Sequence, residues 1–166
     1  MSSKRRYGRP GGGSFFGMIL LNSILAFFVL KVVFALFGVN WVLGQRIAAI
    51  GALHAAAKWG ILLAMLPGAA IGFACLWYWL ILVGRSRGLP WAGACIYGVL
   101  LAFGNVLLTG FLRGAIVGNP LLGLLFALVM LLLMPAIWLS MTCFGLTMGV
   151  LNGLLAQNWI VRHRPR

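Results

Sequence analysis

The side chains able to do chemistry are few, and their spacing restricts what they could do. Cys75, Cys95 and Cys143 form no Cys-x-x-Cys pair, whereas a membrane disulfide relay needs closely spaced thiols to pass electrons. They read as small apolar residues buried in helices. His54 and His163 fall outside the apolar runs and on opposite sides of them, so they cannot supply the facing axial ligands of a haem-binding bundle. Ser140, Thr142 and Thr147 lie in a helical stretch with no His partner; their hydroxyls are expected to bond to a preceding carbonyl or to another helix.

The chain has no Asp and no Glu. It therefore has no acidic general base, no carboxylate proton carrier and no carboxylate metal ligand. The paired Asp of the lipoprotein signal peptidases and the membrane Glu of the small drug exporters both lack a counterpart. The sequence thus predicts a protein that is not an enzyme, with no metal site and no cofactor. Lys31, Arg46 and Arg113, which stand apart from the terminal basic clusters, are the candidates for holding an anionic ligand.

Composition says where these residues must be held. Of 166 residues, 63% are hydrophobic and 8% charged, and the formal net charge is +13; an ordinary soluble domain has about 25% charged residues of both signs. The expected fold class is an all-α polytopic membrane protein, a four-span helical bundle. Apolar runs place the spans at 15–39, 59–83, 90–112 and 121–157. Residues 1–14, with Pro10 and three consecutive glycines, are expected to form a basic flexible tail, and 159–166 a second basic tail. The bundle then occupies 15–158. The apolar run after the first tail is longer than a signal-peptide core, so the first span is expected to be retained.

Two segments fit a simple span poorly. Residues 41–58 are apolar enough to enter the interface and basic enough to resist crossing, which suits an interfacial helix leading into span two. Residues 121–157 would make a straight helix of about 55 Å against a hydrocarbon core of about 30 Å. Pro135 is the expected site of a bend, and Pro67 of a second kink.

Orientation follows from the basic residues. Lys4, Arg5, Arg6, Arg9, Arg85, Arg87, Arg162, Arg164 and Arg166 fall on one side of a four-span chain, against Arg46, Lys58 and Arg113 on the other. Basic loops stay cytoplasmic, so both termini are expected there. The short loops suit a bacterial inner membrane. The nine cytoplasmic cations can meet anionic phospholipids or an acidic partner. Nucleic acid is disfavoured, because only Tyr7 interrupts the first cluster and no nucleic-acid fold is recognisable.

Gly145, Gly149 and Gly153 recur every four residues and place three glycines on one helix face, where another backbone can come close. That face could serve packing within the chain, a copy of itself, or other integral membrane subunits. Three classes of function follow in order of expectation. First is a non-catalytic subunit of a larger envelope complex of secretion, conjugation, transport or respiratory type. Second is a self-contained small membrane protein, such as an immunity or exclusion factor or a pore. Third is a transporter or lipid-handling protein for an anionic substrate.

Overall fold

The computed structural model describes residues 10–37 and 53–163, with the side chains of 53–62, 86 and 87 outside that description. The described residues contain helices and no strand. We number the helices α1 (Gly12–Leu36), α2 (Leu53–Arg87), α3 (Trp91–Ile116), α4 (Pro120–Leu133) and α5 (Pro135–Arg162). Four of them are long and apolar enough to cross a membrane: α1, the Leu63–Arg85 stretch of α2, α3 and α5.

Several boundaries move from their expected positions, each for an identifiable reason. Helix α1 begins at Gly12 rather than at 15, with Gly11 as its extended N-cap and Ser14 and Phe15 both donating to Gly11 O. Glycine costs a helix about 1 kcal/mol per residue, but the long apolar helix that follows carries its first turn. The part of 41–58 that is described, from Leu53 onward, is the opening of α2. Residues 38–52 lie outside the described residues.

Helix α2 continues through Pro67 without interruption. Arg113 and Gly114, expected in a loop, are the last turns of α3. A cation suits a helix C-terminus, and its long stem can reach outward from there. For the same reason α5 runs on to Arg162, past the expected start of the tail.

The run 121–157 is divided rather than continuous. Met134 (φ −117°, ψ 92°) is extended and separates α4 from α5, and Pro135 takes the first position of α5. Proline is favoured there because the amide it lacks has no intrahelical acceptor in any case.

Contacts fix the helix directions. Gly145 faces Val99 and Gly149 faces Ala94, so α3 and α5 are antiparallel. Gly110 meets Ala127 and Gly114 meets Asn119, so α4 is antiparallel to α3 as well. Helices α4 and α5 thus advance in the same sense. Phe15 packs edge-on to Tyr78 at 6.2 Å, while Phe34 and Met65 share a cavity, so α1 and α2 are antiparallel. One end of the bundle therefore gathers the start of α1, the α2–α3 connection and the end of α5. The other gathers the end of α1 and the α3–α4 connection.

The centre is built from Phe73, Trp77, Leu80 and Ile81 of α2 with Leu30 of α1 and Met141, Phe144 and Met148 of α5. Phe73 and Phe144 meet edge to face at 5.7 Å, and Trp77 and Trp159 at 5.5 Å, the arrangement the aromatic quadrupole favours. Large apolar side chains such as Phe28, Leu100, Leu125 and Leu132 point outward. That is the pattern of a chain whose outer solvent is hydrocarbon.

Candidate functional site

Small residues decide how closely the helices approach. A Cβ on Gly145 would lie 2.5 Å from Val99 Cα, one on Gly149 would strike the Ala94 carbonyl, and one on Gly153 would lie 2.7 Å from the Trp91 ring. The glycine face read from the sequence is thus spent inside the chain, on α3. Gly98 answers it from the other side, against Gly145 O and Gly149 Cα. A second seam joins α3 to α4, where a Cβ on Gly110 would lie 2.5 Å from Ala127 Cβ and one on Gly114 2.8 Å from Gly123 Cα. Backbone packed on backbone is the close approach that membrane helices use in place of a hydrophobic driving force.

Three buried amides tie the helices together, and none was singled out in the sequence. Asn152 Nδ2 donates to Asn22 Oδ1 at 2.9 Å and also to Met148 O. Asn22 Nδ2 donates to Met18 O. Asn105 Nδ2 reaches from α3 to Met65 O of α2 at 2.9 Å. Gly68 is what admits it, since a Cβ there would collide with Asn105 Oδ1. The signal was available: an Asn inside an apolar run is costly unless another helix or its own backbone satisfies it.

Two of the three hydroxyls, those of Ser140 and Thr142 but not of Thr147, bond to a preceding carbonyl as expected. Ser140 Oγ donates to Ala136 O at 2.6 Å and Thr142 Oγ1 to Trp138 O at 3.0 Å. The cysteines depart in part, for Cys75 is exposed and Cys95 and Cys143 are half-buried. An outward Cys is tolerated where hydrocarbon replaces the core as its surroundings. His163 caps α5, stacked on the Trp159 ring at 4.1 Å with Nδ1 2.9 Å from Trp159 O. That carbonyl can only accept, so Nδ1 carries the proton. Trp138 shares a shallow groove with Pro135 and tilts against Phe103. Among the described residues no group of His, Cys, Asp or Glu could hold a metal ion.

The cations are distributed as follows. Arg85 and Arg162 stand at one end of the bundle, and Arg113 at the other. Lys31 is exposed on α1, near the same end as Arg113 but outside the cavity that Arg113 lines. Arg46, Lys4, Arg5, Arg6, Arg9, Arg164 and Arg166 lie outside the described residues, as do the side chains of Lys58 and Arg87.

Arg113 is brought to a concave surface. It borders a cavity of about 150 Å³ to which each of the five described helices contributes, through Phe34, Met65, Thr109, Ala127 and Ile137 among others. Of the lining side chains only those of Thr109 and Arg113 carry a polar N or O atom, and the Thr109 hydroxyl is engaged with Asn105 O at 2.7 Å. The site is an apolar chamber with a single guanidinium at its edge.

Comparison with protein-family models, with curated proteins and with solved structures yields no match.

Proposed function

We propose that this chain is a non-catalytic, multi-pass protein of a bacterial cytoplasmic membrane that works as a self-contained bundle. It crosses four times, with α4 and α5 sharing the last crossing around Met134, and both termini are cytoplasmic. The observation that carries this reading is the closure of both glycine seams within the chain: Gly145, Gly149 and Gly153 on α3, and Gly110 and Gly114 on α4. A face consumed internally cannot also be the principal docking face for a foreign helix. The expected order of the first two functional classes is therefore reversed. The orientation draws support from Arg85 and Arg162 sharing an end with the start of α1, beside anionic lipid headgroups.

Purification in mild detergent tests the reading. A single protein component, as a monomer or a homo-oligomer, is the expected result. Stoichiometric co-migration with unlike membrane chains would overturn it and restore the reading as a subunit of an envelope complex of secretion, conjugation, transport or respiratory type. One observation favours that second reading: Gly13 and Gly17, one helical turn apart on α1, face open space.

A further inference from the structure

We infer that the Arg113 cavity is a binding site for one anionic phospholipid of the leaflet at that end of the bundle, its phosphate on the guanidinium and the first few carbons of one acyl chain in the chamber. The inference rests on the reading of the chain as a membrane-spanning bundle and adds to it a ligand and a place.

Three observations converge. The chain has no Asp or Glu, so no acidic side chain can pair with Arg113, and its exposed side chain is open to an external anion. In a membrane the abundant partner is lipid phosphate, which the planar guanidinium can grip with two parallel hydrogen bonds. The chamber itself is apolar, with its one lining hydroxyl already engaged. Apolar walls hold hydrocarbon in preference to water, and this open-sided space of about 150 Å³ has room for a few methylene groups.

Depth is the third observation. From Arg113 the lining descends α3 through Thr109 to Val106, about 10 Å along the helix axis at 1.5 Å per residue. The charged edge and the apolar floor are thus stacked in the order of a lipid's phosphate and its chain. Arg113 belongs to the last turn of α3, at the level where headgroups lie. The start of α4 is beside it, with Gly114 against Asn119 O, and adds the positive end of a helix dipole.

The test is native mass spectrometry of the full chain released from nanodiscs of phosphatidylethanolamine and phosphatidylglycerol. On the wild type one phosphatidylglycerol should persist after the surrounding lipids are stripped. Arg113→Gln should lower that occupancy by about tenfold or more, the scale of a lost charge-assisted bond. Val106→Trp, which fills the chamber and leaves the guanidinium in place, should lower it similarly. Met130→Trp narrows the same space from α4 and decides the matter if Val106→Trp fails to fold. Gly104→Ala, on the outer face of α3 and outside the cavity lining, should leave occupancy unchanged. Equal retention by wild type and Arg113→Gln, equal loss in Gly104→Ala, or a free fatty acid in place of the phospholipid would each overturn the site. The same spectra report subunit composition, so a foreign protein subunit would reject the self-contained bundle independently of the lipid result.

Discussion

Asn152 and Asn22, 130 residues apart, are hydrogen-bonded side chain to side chain at 2.9 Å with both residues fully buried. This bond joins α1 to α5, the first and last helices. Asn152 Nδ2 also holds Met148 O, so loss of the partner does not strand the donor. The energetic consequence should be small: interhelical hydrogen bonds in membrane proteins average about 0.6 kcal/mol and reach about 1.7. A double-mutant cycle of Asn22→Ala and Asn152→Ala, read by reversible unfolding in mixed micelles, should return a favourable coupling in that range. A coupling of zero would mean that the contact contributes nothing to holding α1 in place.

Gly149→Leu should destabilise the bundle by about 1–3 kcal/mol, the usual cost of overpacking. The obstruction is backbone, Ala94 C=O and Cys95 Cα at 3.2 Å, and no rotamer can move it aside. Gly104→Leu is the matched control, because Gly104 on the outer face of α3 has nothing within 4 Å. Thermal unfolding in detergent should separate the two variants clearly. If both melt like wild type, the α3–α5 seam is not the tight contact described.

Gly68 and Asn105 should behave as a coupled pair. Gly68→Ala alone forces its new methyl into the Asn105 amide, and Asn105→Ala alone removes the bond to Met65 O. The double variant removes the obstruction along with the bond, so its loss of stability should be less than the sum of the single losses. Strict additivity in thermal unfolding would sink this account, since contacting residues are where additivity fails.

Topology gives a prediction independent of packing. In a variant with Cys75, Cys95 and Cys143 replaced by Ala, a single Cys in place of the exposed Val117 should react with an impermeant maleimide in intact cells. A single Cys in place of the exposed His163 should react only after lysis. The opposite pattern would place the Arg85 end outside and contradict the charge rule.

Much of the helical plan was legible because hydropathy reports length and polarity, which are what a bilayer selects. The separation of spans two and three at Gly88 and the long fourth apolar run follow from that signal alone. Arg113 was misplaced into a loop because a charge ordinarily ends an apolar run, while at a helix C-terminus the dipole and a long stem keep it inside. The glycine face of α5 was legible as a face, yet its partners Gly98, Ala94 and Val99 were not. Spacing reveals which side of a helix is thin and says nothing about what fills the gap. The cavity was illegible for the same reason, since Phe34, Met65, Arg113 and Ile137 come together only through the packing of the five described helices.

The break at Met134 has a consequence for the last crossing. Pro135 has no amide hydrogen, so the carbonyl of Leu131, four residues earlier, has no helical donor, and the last turn of α4 ends with its negative dipole pole facing the break. Hydrocarbon cannot satisfy such oxygens. A helix of 14 residues also measures only about 21 Å, short of a core of about 30 Å. Because α5 advances in the same sense as α4, it takes up the crossing where α4 stops, and the wall is carried past the break. With one backbone bond missing at Met134, that joint is the place where the last crossing can flex, as a proline-interrupted ladder allows.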